Sequence, residues 1–287
     1  MPLAALVLVL GAAVCHSAWN LLVKSDARRL EIQSGALIIG AVLCSPVLLI
    51  YPLSGVSGVA WGVILLSGLL ETAYVFALTA AYGAGDLSLV YPVARGTPPL
   101  LVVPLAIMLL GERPPWQGLA GIGLVVLGIY ASHAGLAGSP VARQGNRRAL
   151  ALALLTGVFT AGYSLVNKVG VRLVPVPLYA LLVFVVDAAL IYLVRWVRGG
   201  LAAPRVRDAP WGRTVVVGVL MMAAYLAVLV AMAQAPVSYV VAAREVSVVV
   251  AAVLGAFVLG ERHSAARVAG AAVIFVGLVL LALSRSP

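Results

Sequence analysis

Charge is what this sequence has least of. Only 10% of its 287 residues are Asp, Glu, Lys or Arg, against roughly a quarter in a water-soluble domain. So few charges cannot cover a water-facing surface, which excludes an ordinary soluble globular protein of this length. There are 2 cysteines, Cys15 and Cys44, and both fall in apolar runs. They exclude a disulfide framework, cannot by themselves define a metal site, and read as small apolar packing residues. The strict apolar/polar alternation of a membrane β-barrel is missing. No His-Glu-x-x-His, no phosphate-cradling Gly-Lys-Ser/Thr loop and no Gly-x-Ser-x-Gly elbow occurs, so the usual signatures of zinc, nucleotide and serine chemistry are absent. Asp187 is the one aspartate well inside an apolar run, which leaves intramembrane aspartyl proteolysis without its pair. No basic patch is interleaved with aromatics, so nucleic acid is not an expected partner. No cofactor and no metal are expected.

What is present is apolar side chain. Hydrophobic residues make up 63% of the chain, and the mean hydropathy is +1.14. Runs of about 20 apolar residues recur, each long enough to cross a hydrocarbon core of about 30 Å as a helix. Spans are expected at about 3–23, 32–52, 60–82, 87–110, 115–134, 148–167, 177–197, 211–233, 237–259 and 264–284. The connections are short, except Gly135–Arg148 and Arg198–Pro210, which carry the Gly, Pro and Arg of water-exposed loops. The first run resembles a secretory signal in length. It lacks a basic start and leads into the polar segment His16–Asn20, so it is read as a retained span.

The most specific feature is an internal repeat. Leu110-Gly-Glu-Arg113 recurs as Leu259-Gly-Glu-Arg262. Ala120-Gly121 and Gly128 match Ala269-Gly270 and Gly277, and Arg95 matches Arg244. Further upstream, Ala73-Tyr74 matches Ala224-Tyr225, and Trp19-Asn20…Lys24 matches Tyr163-Ser164…Lys168. Residues 1–136 and 148–287 thus form two halves of about five spans each, joined by a loop at 137–147. An odd number of spans makes the second half enter the membrane from the opposite side. Such inverted pairs commonly enclose a midplane substrate site and alternate between the two faces.

On these residues the chain resembles the drug/metabolite transporter superfamily, specifically its EamA-type ten-helix members. The resemblance rests on the two Leu-Gly-Glu endings in register, on His16-Ser-Ala-Trp-Asn20…Lys24, and on Gly85-Asp-Leu-Ser-Leu-Val-Tyr-Pro-Val-Ala-Arg-Gly96. It covers nearly the whole chain. It implies an all-α membrane fold of ten transmembrane helices, in two inverted five-helix repeats around a central cavity. The first, third and fourth helices of each half would line that cavity. It also implies a secondary transporter in a bacterial inner membrane, exporting amino acids or related metabolites. Drugs, organic acids, sugar-like metabolites, or a receptor or scaffold role without transport remain alternatives. An exporter of cationic drugs of the small-multidrug kind fits less well. Those carry an acid in the first helix, where this chain has His16 and Asn20, and two buried arginines would repel a cation.

Basic residues set the expected orientation. The side reached after the first span collects Lys24, Arg28, Arg29, the Arg143–Arg148 cluster, Arg195–Arg213, Arg262 and Arg267. The other side carries Arg113, Lys168, Arg172 and Arg285. Positive loops stay in the cytoplasm, so both termini are expected outside. Many members of the superfamily are described with both termini inside, and this sequence departs from that. The net charge of +10 is explained by these loops meeting anionic lipid.

Polar residues inside spans are the best functional pointers, since each is costly there unless paired or facing a cavity. Arg95 lies among Pro92, Pro98, Pro99 and Pro104, which are expected to bend or break its helix. Arg244 sits at the equivalent depth beside Glu245. A guanidinium is a fork matched to a carboxylate. Two readings stand side by side: substrate carboxylate on one or both arginines, or internal ion pairs. Glu71 or Asp86 would pair with Arg95, and Glu71 or another buried acid with Arg244. His16, Asn20 and Lys24 share one helical face, with Trp19 beside it. His16 either titrates in a proton-coupled cycle or hydrogen-bonds a neighbouring helix. Asn20 and Asn167 either bind substrate or link helices. Glu71 either carries a proton or pairs with arginine, and Glu245 is open to the same two roles. Asp187 is expected to face a neighbouring helix or headgroups. Tyr74, Tyr82, Tyr91, Tyr163, Tyr225 and Tyr239, with Trp19, are candidates to line an amphipathic pocket. For Tyr82 and Tyr239 an interfacial anchor is the alternative, as it is for Tyr51, Trp61, Trp116, Trp196 and Trp211. Glu112 and Glu261 are expected to cap the helix that follows each. The expected partners are a small zwitterion or anion, the lipid bilayer and, as an open option, protons.

Overall fold

The computed structural model describes residues 1–24, 26, 28–85, 87–134, 147–199, 209–250 and 265–284. Their regular structure is helical throughout: α1 (Leu3–Lys24), α2 (Arg29–Cys44), α3 (Gly58–Ala84), α4 (Leu87–Leu110), α5 (Trp116–Ala134), α6 (Arg147–Leu173), α7 (Val176–Gly199), α8 (Trp211–Gln234), α9 (Val237–Arg244) and α10 (Ala265–Leu283). An apolar chain has no water in lipid to satisfy its N–H and C=O groups, and the helix satisfies them within each segment. Seven of the described helices are long and apolar enough to span a membrane; Trp116–Ser132 and Val268–Leu283 are shorter apolar helices. Large apolar side chains face outward, among them Leu49, Met108, Trp116 and Val197. That outward apolar surface suits a lipid solvent.

The helices pack in a pattern that occurs twice. α1 packs on α8 as α6 packs on α3; α2 packs on α8 as α7 packs on α3; α4 packs on α6 as α9 packs on α1. Exchanging α1–α5 with α6–α10 maps each of these contacts onto its counterpart. α2 with α7 and α5 with α10 map onto themselves. The two five-helix repeats are therefore related by a pseudo-two-fold axis, with α5 and α10 crossing on it. At that crossing a Cβ on Gly121 would lie 2.8 Å from the Gly277 carbonyl oxygen, and one on Gly128 would lie 2.8 Å from that of Gly270. Hydrogen in place of a side chain lets the two backbones touch. The ends of the described chain also meet: the Met1 ammonium donates to the Ser284 carbonyl at 2.7 Å. They lie on one face, as an even number of crossings requires.

Three expectations are corrected. α2 is shorter than the apolar run suggests, because Pro46 turns the chain into a 3-10 segment, Ser45–Leu49. α4 holds Pro92, Pro98, Pro99 and Pro104 yet runs as one helix. It is clamped on both sides, with Gly157 of α6 against Thr97 and Tyr130 of α5 against Gly96. The interruption falls instead in α9, which turns at Glu245 before helix resumes at 246–250. Glu112 does not cap α5, the helix after it, but the N-terminus of α9 in the other half. Glu261 lies outside the described residues, as do Asp86 and residues 251–259 of the ninth expected span.

α6 extends past its apolar stretch to Leu173. Lys168 is buried there and donates to the carbonyls of Met232 and Ala235, the latter at 2.9 Å. A cation placed on the end of α8 opposes the negative pole of that helix and satisfies two of its free carbonyls.

Candidate functional site

Two polar clusters lie inside the bundle. The first is built on Arg95. The clamped α4 carries its guanidinium toward α1 and α9, where Nη2 meets His16 Nε2 at 3.2 Å. Its Nη1 lies 4.0 Å from Glu245 Oε2. The Tyr91 ring sits one turn earlier, 5.7 Å from the guanidinium carbon, close enough for a cation–π contact. Trp19 packs edge-on to the His16 ring at 4.9 Å. Arg244, at the end of α9, lies within electrostatic reach of the Tyr163 hydroxyl of α6, of Glu245 and of Arg95. Tyr163 in turn meets Tyr74 of α3 edge to face at 5.8 Å. The turn at Glu245 places its carboxylate between the two arginines, and Ser17 of α1 donates to the carbonyl of Ser247 just beyond, at 3.2 Å.

The ion pair here is loose. A 4.0 Å separation is too long for a hydrogen bond, and Glu245 Oε2 is buried with no hydrogen-bond partner among the described residues. Arg95 keeps 21% of its side-chain surface open while Glu245 keeps 4%. Two guanidiniums against one carboxylate leave the centre with a surplus positive charge. Tyr82 lies within electrostatic reach of Arg95 and is exposed, so the open side of the cluster is aromatic.

The second cluster is built on Glu71 of α3. Its Oε1 accepts from the Tyr225 hydroxyl at 2.8 Å and from the Asn167 amide at 3.0 Å, and lies 3.3 Å from the Ser67 hydroxyl oxygen. Asn167 Oδ1 accepts from Ser67 at 2.6 Å and from Tyr179 at 2.8 Å. Asp187 of α7 lies alongside and accepts from Thr72 at 3.0 Å. Phe184 supports the Tyr225 ring at 5.3 Å. The cluster joins four helices across the two halves and belongs to one side of the pseudo-symmetry only. Met222 and Val23 hold the repeat-matched places of Glu71 and Asn167.

The structure therefore brings His16, Trp19, Tyr91, Arg95, Tyr163, Arg244 and Glu245 together, with Tyr74 and Tyr82 beside them. Glu71, Asn167 and Tyr225 form the neighbouring network. Arg95 meets Glu245 and His16 rather than Glu71, because the turn in α9 swings Glu245 inward while Tyr225 and Asn167 occupy Glu71; Asp86, the other expected partner, lies outside the described residues. Asn20 is exposed and donates back to the His16 carbonyl at 2.8 Å, serving its own helix. Tyr239 is fully buried away from both clusters, with its hydroxyl taking a hydrogen bond from Ser284 at 3.0 Å and its ring against Gly118. Ser67, Thr72 and Tyr179 went unnoticed in the sequence. Ser67 was recoverable, one helical turn before Glu71. Tyr179 and the side that Asp187 faces depend on how α7 lies against α3, which no local pattern encodes.

The sequence profile of the EamA-like transporter family matches residues 3–132 and 147–283, one copy in each half. A solved structure, described only as a crystal structure of a protein, shares the fold. Its TM-score is 0.78 at 20% identity, over 99% of this chain and 98% of that chain. No curated protein matches the chain.

Proposed function

The chain belongs to the EamA-like transporter family, and we propose that it exports amino acids or similar small zwitterions by alternating access at the Arg95–Arg244 centre. It is a membrane transporter of the drug/metabolite type. The observation that carries the substrate class is the loose Arg95–Glu245 pair, held at 4.0 Å with a buried oxygen that has no hydrogen-bond partner among the described residues. A substrate carboxylate on the arginine forks gains the bidentate hydrogen bonds that Glu245 does not make. The substrate ammonium then has a carboxylate on either side, Glu245 or Glu71. Tyr74, Tyr82, Tyr91 and Tyr163 offer ring faces and edges to an apolar side chain.

No covalent step is needed. The two repeats rock about the midplane, with α4 and α9 as the moving walls. The protein would sit in a bacterial inner membrane with its basic loops in the cytoplasm and both termini outside.

Counterflow in liposomes of the purified protein tests this reading, using a panel of amino acids, organic acids, sugars and cationic drugs. Saturable exchange of amino acids, lost in the Arg95→Ala variant, is expected. Exchange of organic acids, sugars or cations alone would reassign the substrate. No saturable exchange of any solute would favour a receptor or scaffold.

A further inference from the structure

Thr72, the residue after Glu71 on α3, donates to Asp187 Oδ1 at 3.0 Å, which sets the carboxyl of Asp187 on α7 beside that of Glu71. An ionised carboxylate only accepts, so the two carboxyls can hydrogen-bond each other only with a proton on one of them. Ionised together, they would set two negative charges side by side in the interior of a membrane protein. Gly68 lets α7 come this close: a Cβ there would collide with Val186 Cγ1, the neighbour of Asp187, and would touch Asp187 Oδ1 at 3.6 Å. The remaining donors are neutral. Tyr225 and Asn167 donate to Glu71 Oε1, and Thr72 donates to Asp187 Oδ1. Neutral donors of this number suit one negative charge spread over two carboxyls, with one proton held between them.

We propose that Glu71 and Asp187 form a proton-binding site at which a substrate ammonium and a proton compete. The exchange half of this proposal rests on the transport reading above; the shared proton does not.

The two acids differ in access. Asp187 keeps 6% of its surface and is closed in by α3, whereas Glu71 is half-buried. Arg244 of α9 acts on Glu71 through charge and lies beside Tyr163 of α6. An amino acid with its carboxylate on Arg244 can therefore present its ammonium to the open edge of Glu71. The other titratable groups facing the pair are Tyr225 of α8 and Tyr163 of α6, with Tyr179 of α7 reached through Asn167. These are neutral phenols, so only an ammonium or a proton adds positive charge at this point. Binding the ammonium displaces the proton to water, and rebinding a proton from the opposite face expels the ammonium. One proton moves inward for each zwitterion moved outward, and the inward proton gradient drives export.

Infrared difference spectra of the purified protein test the shared proton. The native protein is expected to keep a protonated-carboxyl C=O band at neutral pH. That band should vanish in both Glu71→Gln and Asp187→Asn, and should shift in Thr72→Val, which removes one donor and leaves both acids. Absence of the band in the native protein, or its persistence in both acid variants, would overturn the site. The exchange is tested by adding a mixture of L-amino acids to the protein in weakly buffered detergent with a pH indicator. Proton release in the native protein, absent in Glu71→Gln, supports competition. Binding of amino acids without proton release overturns it. Should no amino acid bind while the band is present, the transport reading and the exchange fall together and the acid pair stands.

Discussion

Glu112, the acid that follows α4, accepts the hydroxyl of Ser238 in the first turn of α9 at 2.6 Å. The same carboxylate takes the backbone N–H of Val237 at 2.5 Å and that of Ser238 at 3.3 Å. A helix N-terminus leaves its first N–H groups unpaired and carries partial positive charge, so a carboxylate satisfies both deficits. Here the carboxylate comes from the opposite repeat. The Leu-Gly-Glu ending of the first half thereby ties the C-terminal end of α4 to the N-terminal end of α9, the two helices that carry the paired arginines.

Removing this cap should loosen the junction between the halves. Glu112→Ala is expected to cost about 1–2 kcal/mol, the usual range for a lost N-cap. Thermal unfolding in detergent reads that loss, and Glu112→Gln should recover part of it. Equal melting temperatures for all three proteins would refute the role.

Arg95 should matter to flux more than to folding. Its pair with Glu245 is long, so the native state gains little from it, while a charge-assisted hydrogen bond to a substrate carboxylate contributes about 1.5–3 kcal/mol. Arg95→Ala is therefore expected to weaken amino-acid counterflow by tenfold or more at normal expression. Arg95→Lys keeps the charge without the fork and should fall between the two. Unchanged flux in Arg95→Ala would remove the residue from the binding site.

The crossing of α5 and α10 has no room for a larger side chain. Gly128→Leu must push against the Gly270 carbonyl, an overpacking expected to cost about 1–3 kcal/mol. Gly123 on the same helix has nothing within 4 Å of its Cβ position, so Gly123→Leu should melt like the native protein. Equal stability of the two variants would contradict this close crossing.

Asp26, in the turn between α1 and α2, carries a small pH-dependent contribution. The Arg28 backbone N–H donates to its carboxylate at 2.9 Å and Arg213, at the start of α8, lies 3.2 Å away. These hold its carboxyl below the usual range, the backbone hydrogen bond foremost. A depressed value contributes stability that is complete above the unfolded value of about 3.9 and fades as pH falls through the folded one. Because the ion pair is partly open to solvent, with Arg213 keeping 34% of its side-chain surface, the effect is screened and small. Melting curves should show native protein slightly above Asp26→Asn at neutral pH, converging in acid at low salt. A gap that widens in acid would have the wrong sign.

Orientation is tested by labelling. In a background without Cys15 and Cys44, a cysteine at Ser54 should react with a membrane-impermeant maleimide added to intact cells. One at Arg28 should react only after the cells are opened. The reverse pattern would put both termini inside.

Much of the architecture was readable because lipid leaves a chain few options. Apolar length located the spans within a few residues, and the duplicated Leu-Gly-Glu endings and matched arginines identified the halves. Local chemistry misled at two helices. Four prolines in α4 pointed to a bend or a break, and the helix is unbroken, packed by α5 and α6. α9, with no proline inside it, is the one that turns, at Glu245. The arginines were legible as costly charges, but their partners were not. Glu71 looked like the counter-ion of Arg95 and is instead surrounded by Tyr225, Asn167 and Ser67.

The sequence by itself determined that this is an all-helical membrane protein with a duplicated, opposed architecture and two arginines at matched depth. Composition and periodicity act along one segment at a time, and the cost of burying a backbone or a charge in lipid is read from that segment alone. The tertiary structure decided which charges meet. It set Glu245 between the arginines, stood Asp187 beside Glu71, and laid the Glu112 carboxylate on α9. Those contacts join residues more than a hundred positions apart, through helix rotations and crossings that many apolar sequences satisfy equally well.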